Sequence, residues 1–175
     1  MKKEFLSTKI KSVVVIAPEK FLLKKIESSF LLIKNTDRKK YDNVFNNLNT
    51  VFITNKNGYT NEFFMPEKIW FTNKSLIKNS DLNWLASLII HESFHATQFK
   101  NGEYILPLEK LEKPAIKIQQ NFLSKLGDYN AVKDVKITLK KEYWNKMNED
   151  KKSFVYFRNL LNLLENKKME LKKMR

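Results

Sequence analysis

The two histidines of the chain, His91 and His95, stand four residues apart, and Glu92 directly follows the first. On a helix that spacing stacks both imidazoles on one face, one turn apart. Two neutral imidazoles so placed can share one zinc ion, and Glu92 is close enough to polarise a water held by that ion. A hydrolytic zinc centre needs three protein ligands and one open position. With no third histidine and no cysteine in the chain, the third ligand has to be a carboxylate. Glu103, Glu109 and Glu112 follow closely enough to be candidates.

The chemistry open to such a centre is hydrolysis of a carbonyl compound. Zinc brings the pKa of its water down to about 7, and a neighbouring carboxylate, here Glu92, takes the proton and returns it to the leaving amine. A second donor to the developing oxyanion would have to be Tyr104 or Tyr129, because both histidines are already used. Gln98, one turn beyond His95, is placed to orient a ligand from behind.

The element carrying these residues is well signalled. Ser80 or Asp81 suits the N-cap, Leu82, Leu85, Leu88, Ile89 and Phe99 are apolar positions, and Asn101-Gly102 supplies a stop. The spacing predicts a helix over residues 81–100. A second helix is expected over 108–126, with Ala115, Ile118, Phe122 and Leu126 on one face and Gly127 at its end. Pro114 sets two alternatives for it: a start near Glu112, with the proline in the first turn, or a kink. The first would give Glu112 an electrostatic reason to sit at a helix N-terminus without any metal.

His91-Glu92-x-x-His95-x-x-Gln98, followed by Asn101-Gly102, resembles the active-site helix of zincin metallopeptidases, in particular small bacterial proteins with a minimal gluzincin-like domain. Those proteins carry Glu-x-x-Ala on a second helix, its glutamate being the third zinc ligand, and Glu112-Lys113-Pro114-Ala115 matches that pattern. The resemblance covers about residues 66–126. It implies a zinc metallopeptidase acting on peptide or protein substrates, with His91, His95 and Glu112 as ligands and Glu92 as general base. The residue four after the glutamate ligand is often an aspartate in that family; here it is Ile116. The resemblance also implies that the strand shortly before the active-site helix lies at a sheet edge, where an extended substrate can pair with it.

Composition sets the frame for these elements. The 175 residues suit one domain over 1–175, and 42% are apolar, including 13 Phe and 3 Trp, enough for a packed interior. The lack of cysteine excludes a disulfide framework and any thiolate zinc site. Three glycines and four prolines argue against an all-β fold. The net charge of +14 is consistent with a lysine-rich proteome or with an anionic partner. Lysine far outnumbers arginine, the usual base reader, which weighs against sequence-specific nucleic-acid recognition. No stretch approaches the roughly 20 apolar residues of a membrane span. No signal peptide is read at the N-terminus, which leaves a cytoplasmic protein or a piece of a larger secreted one.

Along the chain, Ser12–Ala17 reads as a buried strand and residues 18–34 and 37–49 as helices. Val51–Thr54 and Tyr59–Phe64 read as a hairpin turning at Asn57-Gly58. Residues 68–72 read as a strand, and two further helices are expected, one from Asp128 or Asn130 to about Met147 and one after Asp150. The expectation is an α+β fold of the zincin kind, a small, mostly antiparallel sheet packed on the active-site helix. Two other readings share these residues: a zincin-fold binding module of weak or no activity, and a delivered protease effector or toxin domain.

Overall fold

A computed structural model describes residues 5–55, 61–65 and 67–137, all within one compact unit. Two strands, β1 (Leu6–Ile10) and β2 (Val13–Ala17), precede two helices, α1 (Lys20–Thr36) and α2 (Arg38–Asn47). Strands β3 (Thr50–Thr54), β4 (Glu62–Phe64) and β5 (Ile69–Asn73) follow. The chain continues into α3 (Lys74–Asn79), α4 (Leu82–Lys100), a 3-10 turn at Glu103–Ile105, α5 (Leu108–Lys125) and α6 (Tyr129–Ile137). Among the described residues the architecture is a mixed α/β arrangement of one five-stranded sheet and six helices. The expected helix after Asp150, and the expected continuation of α6 to Met147, lie outside the described residues.

The sheet runs in the order β1-β2-β3-β5-β4. Its outer pairs are antiparallel and its inner pairs, β2–β3 and β3–β5, are parallel. This corrects three expectations. The sheet is mixed rather than mostly antiparallel. β3 and β4 are not hairpin partners, since β5 lies between them, and residues 57 and 58 of the expected turn are outside the described residues. The strand preceding α4 is interior, and the edge belongs to β4. The physical reason is burial: all five residues of β5 and four of the five in β3 are buried. Strands buried on both faces read as continuous apolar runs and take inner, parallel positions.

Two elements were not anticipated, β1 and α3. β1 joins β2 through a turn in which Lys11 takes φ 53°, a left-handed conformation that usually selects glycine or asparagine. α3 is capped by Asn73, whose Oδ1 accepts from Leu76 N at 2.8 Å. Its six residues are too few for a periodic signal.

The helices pack on the sheet through one apolar core. Val13, Val15, Ala17, Val51, Ile53 and Trp70 meet Leu22, Ile26, Phe30 and Ile33 of α1 and Leu85 and Ile89 of α4. The element that matters most is α4. Asp81 caps it, its carboxylate accepting from Trp84 N at 2.7 Å, and Gly102 at φ 75° follows its end. Residues Leu85 to Ser93 are buried without interruption, because α1, α2 and α5 all pack against this helix. A helix buried all round belongs to the interior, so His91 and Glu92 stand in the protein's centre and not on an amphipathic surface. No helix among the described residues is long and apolar enough to cross a membrane.

Candidate metal centre

α4 and α5 place the site. His91 and His95 lie one turn apart on α4, their rings 5.1 Å apart and nearly perpendicular. α5 lies alongside and brings Glu112 to them. Glu112 Oε2 is 3.1 Å from His91 Nε2, and its Oε1 is 3.4 Å from His95 Nε2. One ligand atom from each of the three residues falls within 4.8 Å of the others. Ligands about 2.0–2.2 Å from a tetrahedral ion sit roughly 3.3–3.6 Å apart, and the two imidazole–carboxylate distances are close to that, so the three residues could hold a metal ion.

The other two carboxylate candidates point elsewhere. Glu109 is half exposed and pairs with Lys113 at 2.6 Å, and Glu103 accepts from Asn101 Nδ2 at 3.0 Å. α5 begins at Leu108, so Pro114 is inside the helix and Glu112 is past its first turn. The helix N-terminus therefore does not account for the position of Glu112. Of the two tyrosines, Tyr129 is 68% exposed at the start of α6, and the Tyr104 side chain lies outside the described residues.

A buried amide fixes which nitrogen of the His95 ring faces the cluster. Gln98, 1% exposed, donates from Nε2 to Leu111 O at 2.7 Å. A carbonyl only accepts, so the other end of the amide, Oε1, faces His95 Nδ1 at 2.7 Å and must accept from it. With the proton on Nδ1, Nε2 presents its lone pair towards Glu112.

A second amide stands behind His91. Ser87 donates its hydroxyl to Trp84 O at 2.7 Å and accepts from Gln119 Nε2 at 3.1 Å. The Gln119 side chain favours a protonated His91 ring. His91 Nδ1 nonetheless completes no hydrogen bond of standard geometry among the described residues. Ile116 is core, 4% exposed. Gln119 follows one turn later, seven residues beyond Glu112 and on the same face. That spacing was the available signal for Gln119.

The charges are coupled. Burial disfavours the His91 imidazolium, but the Glu112 hydrogen bond and the charges of Glu92 and Glu112 outweigh it, and its pKa is raised. Burial likewise pushes Glu112 up, yet the His91 bond and both histidine charges bring it below the usual carboxylate range. Glu92 is 4% exposed. Its burial raises its pKa, and the opposing pull of His91 and His95 does not cancel this. Glu92 Oε1 accepts from Asn61 Nδ2 at 2.6 Å. Nothing in the sequence marks Asn61, because asparagines at 55, 57 and 61 crowd the same stretch.

Comparison of the chain with protein-family models, with curated proteins and with solved structures returned no match.

Proposed function

We propose that the chain is a zinc-dependent metallopeptidase of the zincin type, resembling the minimal gluzincins, that hydrolyses peptide bonds with Glu92 as general base. One observation carries this reading. Two imidazole Nε2 atoms and both Glu112 oxygens converge at ligand spacing, 3.1 and 3.4 Å apart, beside a buried glutamate. In such a cluster His91, His95 and Glu112 would hold the ion. When bound, zinc supplies a Lewis acid that makes water acidic near neutral pH and stabilises charge on a carbonyl oxygen.

The chain's own residues account for the rest. Gln98 keeps the His95 Nε2 lone pair directed at the cluster. Glu112 supplies the negative charge that offsets a divalent cation. Glu92, buried and held by Asn61, has a pKa moved upward, towards the range in which a carboxylate takes a proton from water and passes it to a leaving amine. The inner strand β5 leaves β4 as the edge beside α4, so an extended substrate would pair with β4 rather than β5.

The deciding experiment is the metal content of protein purified without added metal, followed by zinc loading. One zinc per chain is expected, lost in His91→Ala and in His95→Ala. Glu92→Gln should retain zinc and lose hydrolysis of a peptide library. A folded wild type that takes up no zinc refutes the reading, and a Glu92→Gln that cleaves as fast as wild type refutes the mechanism.

A further inference from the structure

Three carboxamides flank the cluster: Gln98 bonds His95, and Gln119 bonds Ser87 behind His91. The third, Asn61, stands just before β4 and reaches Glu92. Its orientation is set from the sheet. Trp70 Nε1 is 2.8 Å from Asn61 Oδ1, and an indole N–H only donates. The amide is therefore turned with Nδ2 towards Glu92, and the 2.6 Å contact is a charge-assisted hydrogen bond to one carboxylate oxygen.

We propose that Asn61 is a positioning residue for Glu92. It fixes the carboxylate through Oε1 and leaves Oε2 to face the reacting water, with Trp70 as its anchor. The inference rests on the metallopeptidase reading above. The anchor is rigid: Trp70 is fully buried in β5, and its backbone is flanked by Val51 of β3 and Phe63 of β4. Asn61 is placed in turn by the pairing that starts at Glu62 and Phe71. The base is thus aligned by the sheet, while its metal neighbours are aligned by α5. A glutamate joined to α4 by three rotatable bonds, with no such contact, would have several rotamers open to it.

The test uses the full chain loaded with zinc, and acetohydroxamate as probe, a small zinc-binding acid whose proton such a glutamate accepts. Zinc affinity is read by chelator competition and probe affinity by calorimetry. Asn61→Ala should keep zinc affinity within about threefold of wild type and weaken the probe about tenfold or more. Glu92→Gln should weaken the probe by a similar factor. Asn61→Ala should add nothing in that background, since the two residues act as one unit. Trp70→Phe keeps a ring and removes the indole donor, so a smaller loss in the same direction is expected. This variant also covers the case in which Asn61→Ala, by leaving a buried indole unpaired, does not fold. Unchanged probe affinity in both folded variants overturns the proposal, as does a loss that persists undiminished with Glu92→Gln. If wild type takes up no zinc, the metallopeptidase reading falls, and Asn61 is judged in crystals of metal-free Asn61→Ala. There a Glu92 carboxylate still in its wild-type rotamer overturns the positioning role, and one turned away upholds it.

Discussion

Gln98→Met tests the link between a side-chain amide and the His95 nitrogen that faces Glu112. Methionine matches the length and shape of glutamine but can neither donate to Leu111 O nor accept from His95 Nδ1, so both 2.7 Å bonds are lost. Two consequences separate. The stability of the metal-free protein should fall by about 2 kcal/mol, since each buried group left unpaired costs about 1–3 kcal/mol and His95, 18% exposed, recovers part of its loss from water. Zinc affinity should fall by about 10–100-fold, the usual cost of removing a partner that orients a histidine ligand, or about 1.4–2.7 kcal/mol. Urea unfolding gives the first quantity and chelator competition the second. Gln98→Glu separates them further, because it can still accept from His95 but faces the Leu111 carbonyl with a second acceptor. A Gln98→Met protein that folds reversibly and binds zinc within about threefold of wild type would refute the tautomer argument.

The remaining predictions concern the third ligand, the junction of the helices and the core. Glu112→Ala should abolish tight zinc binding, whereas Glu109→Ala, at a half-exposed side chain that pairs with Lys113, should leave it nearly unchanged in the same competition assay. Asp37 caps α2 by accepting from Lys40 N at 3.0 Å and also pairs with Lys125 of α5. Burial raises its pKa, but the Lys125 and Lys40 interactions bring it below the usual value. A depressed carboxylate adds stability that is present above the unfolded pKa, about 3.9, and is lost as pH falls through the folded one. Asp37→Asn should therefore be less stable by about 0.5–1 kcal/mol at neutral pH, with the difference from wild type closing below about pH 4 in urea titrations. Ile89→Ala, at a fully buried position between the sheet and α1, should cost about 2–4 kcal/mol by thermal or urea unfolding.

The site could be read further from sequence than the fold could. α4 announces itself locally, through Asp81 at its start, Gly102 past its end and a sustained apolar run, and local signals survive folding unchanged. The convergence of Glu112 on the histidines was anticipated from a four-residue pattern, not from spacing. What was not anticipated is long-range. β5 enters the sheet between β3 and β4 because both its faces are buried, a fact about its neighbours that its five residues do not encode in order. The Lys11 turn lacks glycine or asparagine. Asn61 acts through a contact 31 residues away in the chain, to Glu92, and no local pattern marks such a position.

The two edges of the sheet bear on how copies of the chain meet. A free strand edge is a template on which a second molecule can add a strand, the first step of aggregation. Here the edges are blunted differently. β1 is five residues long, but most of it is exposed and it carries Lys9, whose burial against another backbone would strand a charge. β4 is only three residues long, so an incoming strand gains few backbone bonds there. With a net charge of +14, two copies approaching edge to edge also repel one another. The shortness of β4 thus has two sides: the edge closest to the histidine–glutamate cluster grips an extended chain weakly, and for that reason it does not hold on to a neighbour of its own kind.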